Sequence, residues 1–216
     1  MEIKTINDKL DEGRQYRNFD VASFERRAEA DDNKTVQGYA TVFDTEYELF
    51  SFDGYTVLEK IDARAFDDCD MSDVIMQYDH AGRVFARTSN GTLAVKPDDV
   101  GLHVRAELGG TEIGRQLFEE IEGGYTTKMS FGFRVAEDKR EITENHEDNT
   151  VTVLRTITKI SKLYDVSAVS LPANDATSIS ARNFGEGVIA EIKQERLERE
   201  KRERQKKRIK ILTEVL

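Results

Sequence analysis

The stretch that decides the fold is Gly123 to Phe133, which reads GGYTTKMSFGF. A charged amphipathic run, Thr111 to Glu122, precedes it, and the two glycines end that run as glycine does at the C-termini of helices. Met129, Phe131 and Phe133 then alternate with smaller residues, which is the period of a half-buried strand. The sequence therefore predicts a helix, a glycine stop and a strand in direct succession.

Ser130 lies within this strand, on the face opposite to the aromatic side chains. Gly132 lies on the same face and leaves space beside the serine, because side chains two positions apart in a strand point the same way. A serine in this position can be a nucleophile in a cleft or a polar residue on the solvent-facing side of a sheet. The pattern alone leaves both open, because most serines on strands do no chemistry.

Strand signals dominate the chain on either side of this stretch. They begin at 18–27 and continue at 35–43, 55–61, 74–78, 83–93, 96–108, 151–160 and 163–171. Residues 44–54 and 137–149 are predicted as a loop and a polar connector. The helix at Thr111 to Glu122 has an apolar face of Ile113, Leu117, Phe118 and Ile121. This order predicts a mostly β, α+β fold: a mostly antiparallel barrel or sandwich with flanking helices.

Charge separates the end of the chain from its body. The 216 residues carry a net charge of −10, yet the segment from Glu191 to the end has 10 Lys and Arg against 6 Asp and Glu. From Val188 onward the sequence predicts a highly charged helix with interleaved signs. It is either a solvent-exposed helix or an arm that packs its apolar end on a partner. The predicted division is a loose leader over 1–16, a main domain over 17–184 and a charged helical tail over 185–216.

Several function classes are not supported by the composition or the motifs. The acidic balance argues against a nucleic-acid binder, and no apolar run is long enough to cross a membrane. Cys69 is the only cysteine, so no intramolecular disulfide is expected. The three histidines, His80, His103 and His146, do not have the spacing of metal ligands. Phosphate-binding and dinucleotide-binding motifs are absent, so we expect no cofactor, and without Gly-x-Ser-x-Gly the α/β-hydrolase fold is not indicated. No metal site is predicted either, although so acidic a chain leaves carboxylate ligands open.

One catalytic arrangement remains open, namely a serine, a histidine and an acid on separate β elements. A histidine near neutral pH can accept the serine proton, and an acid can hold the imidazole in the required tautomer. His80 directly follows the buried-strand signal VIMQY, at a position where side chains often line a cleft.

Six segments of the chain, taken in order, resemble the prohead maturation proteases of tailed bacteriophages, the HK97-type family. They are GYATVF (38–43), VLEKIDARAF (57–66), the strand ending in Tyr78-Asp79-His80, GTLAVKPDDVGLHVRAEL with the helix behind it (91–124), MSFGF (129–133) and LYDVSAVSLPAN (163–174). MSFGF is the most specific of these. The family is similar in fold to the herpesvirus assembly proteases, which implies a β-barrel wrapped by helices.

The resemblance also implies roles for three residues. His80 corresponds to the catalytic histidine of the family and Ser130 to its nucleophile. The family motif usually has glutamate where this chain has Asp165, so Asp165 is the expected third member, one methylene shorter. Asp165 could instead be a polar group buried in a strand or a carboxylate facing a turn. Asp79 is a rival acid, poorly placed if it shares a strand with His80. Backbone N–H groups near Ser130 or Gly132, or the side chain of Arg134, are candidates for the oxyanion donors.

The implied function is a serine endopeptidase that cleaves the scaffold, the major capsid protein and itself during procapsid maturation. It would act inside the assembling procapsid, in the cytoplasm of the bacterial host. The similar herpesvirus enzymes act as dimers, which leaves self-association open, although no dimer face is evident in the sequence. The alternative is a catalytically inactive capsid-assembly or scaffolding protein on the same barrel.

Overall fold

A computed structural model describes the backbone of residues 13–19, 25–26, 34–169 and 175–214, and the side chains of 13–17, 34–169 and 184–209. Within this part of the chain, strands predominate and two α-helices accompany them, so the mostly β, α+β class is confirmed. The strands are β1 (Gln15–Phe19), β2 (Glu25–Arg26), β3 (Thr35–Val42), β4 (Tyr47–Phe52), β5 (Tyr55–Ile61), β6 (Ile75–Tyr78), β7 (Ala81–Arg87), β8 (Leu93–Pro97), β9 (Gly101–Glu107), β10 (Lys128–Asn145) and β11 (Thr150–Val169). The helices are α1 (Glu112–Glu122), α2 (Asp175–Glu214) and a 3-10 turn at Thr88–Asn90.

The described strands form two sheets. The larger has the order β1-β10-β11-β5-β4, with β6 also paired to β11 and β7 paired to β6; the smaller has the order β2-β3-β9-β8. Most neighbours are antiparallel, but β11 runs parallel to both β5 and β6. The expected closed barrel is not found among these strands, and the likeness to the herpesvirus proteases stays a prediction.

The longest pairing is the hairpin of β10 and β11, and it differs from the sequence prediction in two ways. Most of the predicted connector at 137–149 is strand, because it pairs with the first half of β11 as far as Asn145 and Thr150. The two strands predicted at 151–160 and 163–171 are one strand through Val169. Register shifts between Gly132 and Asp138 mark bulges, where a strand can bend without ending.

The predicted loop at 44–54 is wrong, since it contains β4, an edge strand antiparallel to β5. Its aromatic residues have a role that a loop would not give them. Leu49 and Phe50 pack with Val188, Ile189 and Ile192 of α2 in a second, smaller apolar cluster, which also includes Tyr55, Val57, Val151 and Val153. The edge of the sheet is thereby covered by the helix, a common way of protecting an edge strand.

Helix α1 forms where it was predicted. Thr111 caps its N-terminus by accepting a hydrogen bond from the backbone N–H of Gly114 at 3.0 Å. Gly124 has a φ of 75°, the left-handed conformation that ends helices and favours glycine. Leu117 of the predicted apolar face is buried, and Phe118 and Ile121 pack against the main core. That core also holds Phe131 and Phe133 of the serine strand, which are fully buried.

Helix α2 crosses the boundary predicted at 184/185. Val188, Ile189 and Ile192 are buried against the body, whereas Leu197 and Ile209 further along are more than half exposed. The expectation of an exposed helix is therefore wrong for its first described turns and right for the portion that follows. The side chains of the apolar end, from 210 onward, lie outside the described residues, as do residues 1–12 of the predicted leader. The division into three segments stays a prediction.

None of the helices in the described part of the chain combines the length and the apolar character needed to span a membrane.

Candidate active site

Ser130, His80 and Asp165 meet at one point of the larger sheet. The Oγ atom of Ser130 lies 2.6 Å from Nε2 of His80, and Nδ1 of the same imidazole contacts Oδ2 of Asp165 in a very short hydrogen bond. All three residues are fully buried. The alternative of a Ser130 that faces solvent on an open sheet is therefore wrong, because its face of β10 is covered.

Sheet topology brings the three residues together from distant parts of the chain. β10 and β11 are antiparallel neighbours, with Ser130 opposite Ser167 and Gly132 opposite Asp165. β6 runs parallel to the end of β11 and places Tyr78 opposite Ala168, so the residues after Tyr78 lie beside the same segment. The parallel pairing of β6 with β11 is thus what brings His80 to Asp165.

His80 lies in the two-residue turn that joins β6 to β7, and not within the strand. Asp79 and His80 have φ values of 46° and 57°, between the paired residues Tyr78 and Ala81. Positive φ at both central residues is required in a type I′ hairpin, where asparagine and glycine are usual. An aspartate and a histidine in this conformation carry strain, a feature that clusters at functional sites.

The geometry selects one tautomer of His80. A carboxylate only accepts hydrogen bonds, so Nδ1 must carry a proton and donate a hydrogen bond to Asp165. Nε2 of the neutral ring is then free of a proton and can accept the hydroxyl of Ser130. Asp165 is held in turn by the hydroxyl of Ser167 at 3.2 Å, while Arg14 lies 3.7 Å from its other oxygen. Asp165 is therefore the acid that holds Nδ1, and the rival Asp79 occupies the turn.

Gly132 is required by the close packing around Asp165. A Cβ atom at this position would lie 2.5 Å from Oδ1 of Asp165 and 2.7 Å from the ring of Tyr16. The sequence pattern predicted space beside Ser130, and the structure fills that space with these two side chains. The Tyr16 ring also lies 4.4 Å from the His80 ring, centroid to centroid. Burial, and then the charge of Asp165, raise the pKa of Tyr16 above its usual range.

Strand β1 covers the site. It is antiparallel to β10, with Asn18 opposite Ser130 and Tyr16 opposite Gly132. The hydroxyl of Ser130 also lies 2.8 Å from the backbone carbonyl oxygen of Arg17, which can accept a hydrogen bond from it. Because β1 lies along this edge, the serine is inaccessible in this conformation.

The side chain of Arg17 enters a buried ionic cluster on the other face of the sheet. Glu59 accepts hydrogen bonds from Arg17, from Nη1 of Arg155 at 2.7 Å and from the hydroxyl of Tyr47. Burial alone would raise the pKa of Glu59, but the guanidinium of Arg17, followed by that of Arg155, lowers it below its ordinary value. Nε of Arg155 also contacts Asp138 at 2.6 Å. Glu59 is therefore ionised in the folded protein at neutral pH.

The other candidate residues lie elsewhere. His103 packs edge-on against Tyr39 with ring centroids 5.3 Å apart, and His146 is exposed. The side chain of Arg134, a weak candidate for the oxyanion donor, lies on an exposed part of β10. Among the described residues, no group of three or more His, Cys, Asp or Glu is arranged to hold a metal ion. Burial raises the pKa of the Cys69 thiol to about 12, which keeps it protonated at neutral pH.

A family model for the caudovirus prohead serine proteases matches residues 22–190. The chain belongs to this family. Membership supports a serine protease and a role in phage capsid maturation, and it implies capsid proteins as substrates and the assembling procapsid as the place of action. No curated protein and no solved structure matches the chain.

Sequence reasoning on this prohead protease missed Ser167 and the residues of β1. Ser167 could have been found, because it lies two positions after Asp165 on one strand and so shares its face. Tyr16 and Arg17 lie at the edge of the polar N-terminal region, where no period marks a strand. Only pairing with β10 makes them part of the site.

Proposed function

We propose that the chain is a serine endopeptidase in which Ser130 is the nucleophile, His80 the general base and Asp165 the residue that orients the imidazole. The observation that carries this proposal is the continuous line of hydrogen bonds from Ser130 through both ring nitrogens of His80 to Asp165. Serine nucleophiles need such a partner, because the free hydroxyl is a weak nucleophile at neutral pH.

The reaction follows from this line. Nε2 of His80 takes the proton of Ser130 while Oγ attacks the carbonyl carbon of a peptide bond. The positive charge that develops on the imidazole is stabilised by the Asp165 carboxylate at Nδ1. His80 then protonates the leaving amine, and a water molecule, activated by the same histidine, hydrolyses the acyl-enzyme. Backbone N–H groups near Ser130 or Gly132 are the proposed oxyanion donors.

The proposed substrates are the scaffold and the major capsid protein of the same phage, together with the protease chain itself. Cleavage would take place inside the procapsid, in the cytoplasm of the bacterial host. Family membership supports capsid proteins as a class of substrate. The finer assignments are tested by the following experiment.

Purified protease is incubated with procapsid-derived capsid protein and scaffold, and the products are identified by mass spectrometry. The Ser130→Ala variant is compared with Ser51→Ala, which removes the same atom from an exposed residue of β4. We expect defined fragments with the wild type and with Ser51→Ala, and none with Ser130→Ala. Intact substrates with all three proteins would overturn the proposal and favour the inactive assembly or scaffolding protein.

A further inference from the structure

Strand β1 binds to the serine strand in the manner of an extended peptide. Five residues, Gln15 to Phe19, pair antiparallel with Phe133 to Met129 along the edge of β10. Addition of a strand to a sheet edge is a common mode of peptide recognition, in which the backbone supplies affinity and side-chain pockets supply specificity. This strand also precedes the segment 22–190 that the family model matches.

One peptide bond of β1 lies at the nucleophile. The carbonyl oxygen of Arg17 is 2.8 Å from Oγ of Ser130. Because a C=O bond is about 1.2 Å long, the carbonyl carbon lies no more than about 4 Å from the same oxygen. Productive attack needs about 3–3.5 Å, so a small shift suffices. Oγ also lies 2.6 Å from Nε2 of His80, which accepts the single proton of the hydroxyl during the attack.

The side chain of Arg17 lies in a buried pocket whose contacts favour a positively charged guanidinium. The guanidinium is 1% exposed, and two of its nitrogens, Nε and Nη2, contact the two oxygens of Glu59. This paired contact matches the planar fork of arginine and not the single ammonium of lysine. The amide oxygen of Gln15 accepts a further hydrogen bond from Nη2 at 2.9 Å.

The charges around the pocket are balanced only while Arg17 is present. Arg155 contacts both Glu59 and Asp138, so without Arg17 these three groups hold one cation and two carboxylates. Arg140 approaches Asp138 only at 3.7 Å, and it is itself paired with Glu191 at 2.9 Å on the exposed rim. A buried site with excess negative charge favours a cation in the vacated position.

From these contacts we infer that β1 occupies the substrate groove and that the protease cuts its own chain at the Arg17–Asn18 bond. Glu59 selects arginine on the carbonyl side of the scissile bond. The inference deepens the proposed function and rests on it. Tyr16, the residue before Arg17, lies on the opposite face of β1, where its ring packs against His80 and above Gly132.

The cleavage is an ordinary acyl transfer. Oγ of Ser130 forms an ester with the carbonyl carbon of Arg17, the bond to the nitrogen of Asn18 breaks, and that nitrogen leaves with the proton held by His80. Water then hydrolyses the ester, which gives the fragments 1–17 and 18–216. Departure of the first fragment uncovers Ser130, so the cut also opens the groove to other chains.

The specificity is tested with a peptide of residues 12–23 (EGRQYRNFDVAS). Three versions carry arginine, lysine or citrulline at position 17; citrulline has the shape of arginine without its charge. We expect cleavage between positions 17 and 18, with kcat/KM reduced about tenfold or more for lysine and citrulline, because charge-assisted paired hydrogen bonds are lost. Arg14 in the same peptide is an internal comparison. With Arg14 in the pocket, Gly13 and Glu12 would take the places of Tyr16 and Gln15, so we expect cleavage after Arg17 to predominate. Equal rates for arginine and citrulline, or cleavage mainly at another bond, would overturn the inference.

Two further measurements separate this inference from the proposed function. The first is made on the Glu59→Gln variant, checked for folding by circular dichroism. Its kcat/KM values for the arginine and citrulline peptides should differ by no more than about threefold. A difference between the two peptides as large as in wild type contradicts the assignment of Glu59. If the variant does not fold, the relative rates of the three peptides with the wild-type protease decide whether the groove selects arginine. Wild type that cuts capsid protein but never after Arg17 overturns the inference alone. Wild type that cuts neither capsid protein nor peptide overturns both.

Discussion

Nε2 of His80 lies 2.6 Å from Oγ of Ser130, although the two residues are 50 positions apart in the chain. Nothing in the local sequence of either residue brings them together. The contact depends on two separate pairings of β11, one antiparallel with β10 and one parallel with β6.

Replacement of Asp165 by asparagine should inactivate the enzyme without unfolding it. An amide can donate a hydrogen bond to Nδ1, which would move the proton to Nε2 and leave Ser130 without a base. In serine triads this change costs roughly 10⁴ in kcat. The measurement is kcat for cleavage of the capsid protein, with thermal unfolding as the check on folding. Asp99→Asn, on an exposed residue, is the matched control. Activity of Asp165→Asn within about tenfold of wild type would contradict the role of Asp165.

Replacement of Gly132 by alanine should displace Asp165 or Tyr16, since the new Cβ would lie 2.5 Å and 2.7 Å from them. We expect kcat/KM to fall by about 10–100-fold, because small displacements of a catalytic group are costly. Gly187→Ala in α2 is the control, since a Cβ there would have no atom within 4 Å apart from its chain neighbours and the backbone of its own helix. That change should leave activity unchanged and stabilise the helix by about 0.5–1 kcal/mol. Equal activities of the two variants would contradict the crowding at Gly132.

The sequence predicted the pieces of the site better than their assembly. VIMQY indicated the strand before His80, and the alternation in MSFGF placed Ser130 and Gly132 on one face. Both follow from periods of two or from short apolar runs, which are local properties of the chain. The prediction of Asp165 as the third member came from a resemblance and not from a pattern, because its contact with His80 spans 85 positions.

The failures of sequence prediction have a common physical cause. The outer half of β10 is rich in exposed polar residues, and β4 is short and only partly buried. Both are strands because a neighbouring strand pairs with them. The sequence from Val188 onward is highly charged, and its apolar residues Val188, Ile189 and Ile192 are buried only because β4 and β5 lie against them. Tertiary context overrides local propensity in such segments.

Acid should weaken the buried ionic cluster through Glu59. Its pKa in the folded protein lies below the ordinary value of 4.5, so the ionised group stabilises the fold above about pH 4.5 and loses this contribution as the pH falls through the folded pKa. At pH 7 we expect Glu59→Gln to cost about 3–5 kcal/mol, because two buried guanidinium groups lose a charged partner. The difference from wild type should shrink below pH 4.5. Urea unfolding at pH 7 and pH 3.5 measures it, with the exposed Glu48→Gln as control. A difference in the free energy of unfolding that is larger at pH 3.5 than at pH 7 would contradict the stabilising role of ionised Glu59.

Helix α2 should depend on its first described turns for attachment to the body. Ile192 is 5% exposed and packs in the second apolar cluster, whereas Ile209 is 62% exposed. Truncation of the buried isoleucine to alanine should cost about 2–4 kcal/mol, and truncation of the exposed one less than about 0.5 kcal/mol. Chemical denaturation of Ile192→Ala and Ile209→Ala compares the same change at the two sites. Equal costs would show that the helix is not held by this cluster.

The most direct test of the central claim, that Ser130 is the nucleophile of a peptidase, is the intact mass of the purified chain followed over several hours beside the Ser130→Ala variant. We expect the wild type to lose defined pieces, alone or with capsid protein added, and the variant to stay at full length. Wild type and variant that both remain intact, or that lose the same pieces at the same rate, would contradict the claim.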